Sequence, residues 1–110
     1  MHKASLRMAE FHKNYDVVLT PTLGKPPIKH GILNLSRVQD DVQEYMDFSP
    51  FTFIANFTGQ PAMSVPLHGL PDDLPIGVHF IGRYAEDATL LRLAAQLEEA
   101  HPWRMHRPAI

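Results

Sequence analysis

Cysteine is absent from the 110 residues of the sequence. This absence excludes a disulfide framework, a thiolate nucleophile and a sulfur-ligated metal. Long apolar runs are also absent, because no stretch approaches the roughly 20 residues that a membrane-spanning helix needs. The first residues contain no continuous apolar segment of the kind that a secretory signal requires. We therefore expect no membrane partner, and the cytoplasm is the default compartment.

The sequence also has no strong excess of positive or negative charge. The formal net charge is -2 at pH 7, and charged residues make up 20% of the chain. This balance gives no electrostatic reason to expect nucleic acid or an anionic membrane surface as a partner. Apolar residues make up 45%, which is typical of globular proteins. At this length we expect one domain, residues 1–110, with one modest core.

Signatures of metal and cofactor binding are not found either. The glycines form no phosphate-binding pattern, and close packing on a strand explains Gly77 and Gly82 better. The seven histidines are not spaced as metal-ligand pairs, so we expect surface or loop histidines and no metal site. They are His2, His12, His30, His68, His79, His101 and His106. No cofactor is therefore expected.

The first segment predicts an amphipathic helix and then a buried strand. Apolar residues recur at helical spacing, at Ala4, Met8, Phe11 and Tyr15. The β-branched run from Asp16 to Thr20 is closed by Pro21. Its apolar residues are continuous rather than alternating, which predicts a strand that is covered on both faces.

The middle of the chain predicts a loop and two helices. Several glycines and prolines in the range 23–35 favour a loop. Ser36 and Gln39 have the spacing of a capping box for the first of the two helices. Ser49-Pro50 is a start signal for the second, because serine can cap a helix and proline suits its first position. That helix should stop at Gly59 in a left-handed conformation.

The last third predicts a hairpin and a helix. Strands at 62–67 and 76–81 are separated by a short link that is rich in turn-forming residues. Asp87 is placed to cap an amphipathic helix over residues 88–100. The order of elements predicts a mixed α/β layer. Three strands are too few to close a sheet, so open edges should remain.

Four sequence strings resemble, in the same order, the C-terminal region of the amidase-signature family. They read YDVVLTPT from Tyr15, FTFIANFTGQPAMSVP from Phe51, LPIGVHFIGR from Leu74 and DATLLRLA from Asp87. The resemblance covers essentially the whole chain. The string GQPAMSVP from Gly59 is especially similar to bacterial amidases that include hydrolases of aminohexanoate oligomers. The implied fold is the C-terminal part of the family's mixed sheet, layered with helices.

The resemblance implies a serine hydrolase of carboxylic amides whose catalytic residues lie outside this chain. In the family, a serine attacks the carbonyl, and a second serine in a cis peptide relays its proton to a lysine. Those residues lie upstream, in a Gly-Gly-Ser-Ser-type stretch and at an earlier lysine. This sequence contains neither a Gly-Gly nor a Ser-Ser pair. We therefore assign no catalytic residue and expect the chain alone to be inactive.

The same resemblance indicates four candidates for contact with substrate. Amidotransferase relatives that act on aminoacyl-tRNA hold their substrate with an aspartate, three residues before the threonine of a Thr-x-x-x-Asn motif. The matching residue here is Ser49, three residues before Thr52. This serine argues against an amino-acid amide of that kind as substrate and leaves the substrate class open. The candidates that line the far side of the pocket are Phe48, Ser49, Phe51 and Thr52.

Two functions of different classes remain open at this point. The chain is either the C-terminal portion of an amidase or a stand-alone binding and assembly module that lacks the catalytic region. A genuine module should carry features that protect its sheet edges, and since none is obvious in the sequence, the portion of an amidase is favoured. In both cases we expect exposed apolar surface and self-association, through sheet edges or swapped helices.

Overall fold

A computed structural model describes residues 2–32, 42–69 and 74–105 of the chain. In this part of the chain, the order of helices and strands agrees with the one that the sequence predicts. The helices are α1 His2–Phe11, α2 Val42–Phe48, α3 Phe53–Thr58 and α4 Asp87–Ala100. The strands are β1 Val17–Pro21, β2 Ala62–Gly69 and β3 Pro75–Gly82.

The three strands form one antiparallel sheet with β3 in the centre, in the order β1-β3-β2. The predicted hairpin of β2 and β3 is confirmed, with a register shift between Pro66 and His68. The first strand of the chain pairs with the last one described, so that Thr20 lies opposite His79. Across β3, His79 also lies opposite Ser64 of β2.

Alternation along β3 divides its side chains between the two faces of the sheet. One face carries Phe80, which packs with Val65 of β2 and Leu90 of α4 into the buried core. Partly buried residues that surround these three are Val17, Met63, Leu67, Val78, Leu93, Leu97 and Trp103. The opposite face carries His79 and Ile81, which are also buried. Each face of β3 is therefore covered within this chain.

The first strand is not covered on both faces, which corrects the prediction for β1. Leu19 lies opposite Phe80 and so shares the face on which α4 lies, but its side chain is 62% exposed. The reason is geometric, since α4 packs against β2 and β3. The continuous apolar residues correctly predicted a strand at this position. Within this chain, however, that strand is partly exposed.

Two predicted helix starts are shifted in the structure. Helix α3 begins at Phe53 after a turn, so Ser49 does not cap it. Helix α4 begins at Asp87, and Glu86 occupies the N-cap position. The carboxylate of Glu86 accepts hydrogen bonds from Arg83 and from Thr89, at 2.9 and 3.3 Å. Helix α4 thus starts one residue earlier than the sequence pattern indicated, and these bonds join side chains on either side of its start.

Other helix boundaries agree with the sequence or differ by a turn. Gly59 adopts φ 72°, and its N–H donates to the carbonyl of Ala55 at 2.8 Å, which confirms the left-handed stop. Helix α1 ends at Phe11, and Tyr15 lies beyond it with its ring stacked on that of Phe11 at 4.7 Å. The predicted capping box at 36–39 lies outside the described residues.

One arginine joins the end of α1 to the end of the sheet. The guanidinium of Arg83, which follows β3, donates from Nη2 and Nε to the carbonyl oxygen of His12, at 2.7 and 3.2 Å. Hydrogen bonds from a charged donor are stronger than neutral ones. Close by, the amide of Gln60 donates to the carbonyl of Gly82 at 2.7 Å. These bonds position α1 and the end of α3 relative to β3.

The molecule is thin and exposes much surface for its mass. Its principal extents are 43 × 41 × 17 Å, and its accessible surface is 8556 Å². A compact monomer of 12.5 kDa is expected to expose about 6,200 Å². The difference includes large apolar side chains such as Leu6, Phe57 and Leu91, each more than half exposed. The predicted exposure of apolar surface is therefore confirmed.

Truncation of the buried leucine of α4 should destabilise the fold strongly. Leu90 is 4% exposed, and its neighbour Leu91 is 71% exposed on the same helix. We expect Leu90→Ala to lower the free energy of unfolding by about 2–4 kcal/mol, because it removes core contacts and leaves a cavity. The matched control Leu91→Ala should change it by less than about 0.5 kcal/mol. Urea titration followed by circular dichroism measures both, and equal effects would contradict the described core.

Candidate functional site

The turn between α2 and α3 brings together two of the four predicted substrate contacts. The hydroxyl groups of Ser49 and Thr52 are hydrogen-bonded at 2.7 Å. Phe48 ends α2, and Phe51 contributes its backbone carbonyl, which accepts from the N–H of Ile54 at 3.3 Å. All four candidates are half-buried. A ligand can therefore reach their side chains, although the turn holds their backbone in place.

The paired hydroxyls leave one hydrogen for a ligand. In the pair, one hydroxyl donates and the other accepts, and either arrangement is compatible with the distance. The accepting hydroxyl keeps its own hydrogen and can donate it to a third group. Neither side chain carries a charge. The arrangement suits a neutral polar group, such as an amide, better than an ammonium ion, which would require a carboxylate nearby.

The loop that follows β1 holds this turn in place. The N–H of Gly24 donates to the carbonyl of Phe48 at 2.9 Å. A side chain at position 24 would collide with the backbone oxygen of Asp47 and the ring of Pro50, so glycine permits the close approach. Lys25 adds an ion pair with Asp47 at 3.8 Å, but both groups are about half exposed and contribute little. The turn is thus fixed mainly by backbone contact.

Two open cavities lie near this region, and the predicted contacts line neither of them. The first, about 210 Å³, is formed by the loop and the start of β3; its lining is Leu23, Gly24, Lys25, Pro26, Pro27, Pro75, Ile76 and Gly77. The second, about 250 Å³, is lined by Ala4, Phe53, Ile54, Phe57 and Thr58. The substrate role of the four candidates stays a prediction.

Sequence reasoning missed a row of polar side chains across the sheet. The hydroxyls of Thr22 and Ser64 are hydrogen-bonded at 2.5 Å above Gly77, where any β-carbon would collide with both. Thr20 lies within 3.2 Å of the Nδ1 atom of His79. The alternation in β3 carried part of this signal, since it places Gly77 and His79 on the same face. Pairing with β1, which is distant in sequence, was needed to find the rest.

Two histidines are buried, which corrects the expectation of surface or loop positions. His79 lies on the central strand of the sheet and is 4% exposed. His12 is 1% exposed, and its Nδ1 lies 3.0 Å from the carbonyl of Tyr15. Since a carbonyl can only accept, that Nδ1 atom carries a hydrogen. The Nε2 atom of His12 is buried and has no hydrogen-bond partner among the described residues.

Burial also changes the acidity of His79. Removal from water disfavours the charged imidazolium, so the pKa of His79 is lowered from its usual value. His79 is therefore neutral around pH 7 in the folded protein. Its neighbours Thr20 and Ser64 are uncharged, so the row contains no ion pair.

The described ranges contain neither a metal site nor a membrane-spanning helix. Among these residues, no three histidine or acidic side chains come close enough to hold a metal ion. Nor does any helix there have the length and apolar character that a membrane crossing requires. The serines of the site, Ser49 and Ser64, are hydrogen-bonded to threonines rather than to a base.

Comparison with known proteins shows the family. The family model described as Amidase matches residues 2–91. The Mycobacterium leprae protein named "Putative amidase AmiC" is 40% identical over 97 residues, which are 88% of this chain and 21% of that protein. The 6-aminohexanoate-cyclic-dimer hydrolase of Paenarthrobacter ureafaciens is 33% identical over 103 residues, which are 87% of this chain and 21% of that enzyme.

A solved structure gives the same result for the fold. The structure of 6-aminohexanoate cyclic dimer hydrolase superposes with a TM-score of 0.77 and 28% identity, over 94% of this chain and 23% of that one. The chain belongs to the amidase family, and the predicted α/β class and amidase fold are confirmed. It spans about one fifth of the length of the relatives that it matches.

The lowered pKa of His79 predicts a specific pH dependence of stability. In the unfolded chain the pKa of histidine is near its usual value of 6.5, so below that pH the unfolded state binds more protons than the folded state. The contribution of His79 to the free energy of unfolding should therefore be fully present above about pH 6.5 and be lost as the pH decreases through that value. We expect His79→Gln to flatten the loss of urea resistance between pH 8 and pH 5.5. His101→Gln, at an exposed position, is the control; equal pH slopes in both variants would contradict the prediction.

Proposed function

We propose that this chain is the C-terminal portion of an amidase that hydrolyses carboxylic amide bonds, with its catalytic residues outside the chain. One observation carries the proposal. Nearly the whole chain, 94%, superposes on a solved cyclic-dimer hydrolase at a TM-score of 0.77, yet it spans 23% of that enzyme. A segment that retains the fold of one part of an enzyme is best explained as serving that part's role.

The proposed chemistry follows the resemblance to the amidase-signature family. A serine attacks the amide carbonyl, a second serine in a cis peptide relays the proton to a lysine, and backbone N–H groups stabilise the oxyanion. The protonated amine then leaves, and water releases the acid from the acyl-enzyme. Since none of these groups is assigned to this chain, its part in the reaction is to bind and orient the substrate.

The turn at 48–52 is the proposed contact with substrate. Phe48 and Phe51 supply aromatic surface, and the hydroxyl pair of Ser49 and Thr52 supplies a neutral donor and acceptor. A neutral amide with apolar chain segments matches this combination. The serine at position 49 offers no charge for an ammonium group, so an amino-acid amide of the amidotransferase type is disfavoured. We further propose a cytoplasmic location.

The second candidate is a stand-alone module that binds or assembles without catalysis. One observation favours it. Both outer strands carry a proline, Pro21 and Pro66, at a point where their missing N–H would face away from the sheet. Proline at such positions blunts an edge against uncontrolled pairing. The exposed apolar surface would then serve self-association, which we propose for the chain by itself.

Activity measurements on the chain and on a chimera separate these functions. We expect the pure chain to release no product from the 6-aminohexanoate cyclic dimer, because the nucleophile and base are absent. Serine-reagent-sensitive hydrolysis by the pure chain would contradict this. A cyclic-dimer hydrolase in which this chain replaces the matching segment should retain measurable hydrolysis. The same enzyme without that segment is the negative control, and a folded but inactive chimera would favour the module.

Removal of one hydroxyl in that chimera tests the proposed substrate contact. We expect Thr52→Val to raise KM by about 5-fold with a smaller change in kcat, because one net hydrogen bond contributes about 1 kcal/mol. The control is Thr89→Val, which also removes a hydrogen-bonded hydroxyl but lies on α4. Steady-state kinetics measures both variants. An unchanged KM in Thr52→Val would exclude the hydroxyl pair from the substrate site.

A further inference from the structure

The hydrogen-bonding groups on the outer edge of β1 follow from its pairing with β3. The N–H of Thr22 donates to the carbonyl of Gly77 at 3.0 Å, so the backbone groups of Thr22 face β3. Because these directions alternate along a strand, Thr20 and Val18 also face β3. The backbone groups of the remaining residues of β1 face away from the sheet. They are those of Val17, Leu19 and Pro21.

The outward edge of β1 has an asymmetric set of donors and acceptors. Val17 and Leu19 each present an N–H and a carbonyl, whereas Pro21 presents a carbonyl alone. A strand that pairs here must supply acceptors opposite 17 and 19 and needs no acceptor opposite 21. This requirement narrows the partners that can fit the edge without leaving an unpaired donor.

A second copy of β1 meets that requirement. In an antiparallel pair centred on Leu19, each Leu19 exchanges two hydrogen bonds with its counterpart. Each Val17 N–H then donates to the carbonyl of Pro21 in the other copy, and the missing N–H of Pro21 falls opposite the carbonyl of Val17. Every outward donor of both strands is paired. At the ends, the exposed Asp16 lies opposite Thr22, so no like charges meet.

Side chains favour the same arrangement. The two Leu19 side chains, each 62% exposed in one copy, lie side by side in this register on the face that carries α4. The outer edge of β2 has an equivalent backbone pattern, with Ser64 in the central position and Pro66 at the end. It would bury a serine already bonded to Thr22, and a register shift interrupts the strand between Pro66 and His68. The edge of β1 therefore gains more from pairing.

We propose that two copies of this chain associate through β1 in this register and form a continuous six-stranded sheet. This pairing covers Leu19 of both copies, which is 62% exposed in one copy. This develops the self-association proposed above by naming its surface, and it does not depend on amidase activity.

Single cysteines test the register, since the chain has no cysteine of its own. At the two-fold axis the two Leu19 Cα atoms would be about 5.5 Å apart, within the range of a disulfide. Leu19→Cys should therefore cross-link most of the dimer under mild oxidation. Val17→Cys should not, because its two copies are about 14 Å apart along the paired strands. Ser64→Cys on the other edge and the exposed Leu91→Cys are matched controls.

Charged substitutions of Leu19 test the interface without a covalent cross-link. By sedimentation at tens of micromolar, the unaltered chain should have twice the mass of 12.5 kDa. Leu19→Lys and Leu19→Glu should each be monomeric, because like charges meet at the axis, and an equimolar mixture should dimerise again. Leu91→Glu should remain dimeric. Circular dichroism confirms that each variant is folded.

The outcomes separate the register from self-association itself. An unaltered chain that is monomeric at tens of micromolar, or that associates only with a polypeptide containing the rest of an amidase, overturns both proposals. A dimer that cross-links through Ser64→Cys, or fails to cross-link through Leu19→Cys, overturns the β1 interface alone.

Discussion

The central position of β3 is the constraint on which the other elements depend. Both outer strands take their hydrogen bonds from β3, and its alternating side chains contribute to both faces of the sheet. Phe80 is directed towards α4, while His79 and Ile81 are buried on the opposite face. Arg83, at the end of the strand, fixes α1 through the carbonyl of His12. A change in the register of β3 would therefore displace every one of these contacts at once.

Local features of the fold could be predicted from the sequence, whereas pairings over long distances could not. The hairpin, the left-handed stop at Gly59 and the buried stripe of α4 all follow from patterns within a few residues. The pairing of β1 with β3 joins residues about 60 positions apart, and nothing in the local pattern specifies it. The burial of His12 and His79 and the exposure of Leu19 all depend on that pairing or on the docking of helices.

The candidate site shows the same division between chemistry and geometry. A resemblance in sequence indicated Ser49 and Thr52, and the structure adds that their hydroxyls bond to each other. The role of Gly24 was not predicted from the sequence. Position 24 requires glycine because it contacts the backbone of Asp47, which is 23 positions away. The turn is thus positioned by a backbone contact that has no signature in either segment alone. The substrate contact proposed for this turn would be completed by parts of the amidase fold beyond this chain.

The hydroxyl bond above Gly77 also restricts how the sequence can change over evolution. Thr22 and Ser64 touch across the central strand in the space that a β-carbon at position 77 would occupy. A larger residue at 77 is therefore acceptable only together with changes at both partners, and a return to glycine would leave a gap unless a hydroxyl also returned. Three positions that span 55 residues of chain therefore constrain one another, because replacement of Gly77 requires changes at Thr22 and Ser64 as well.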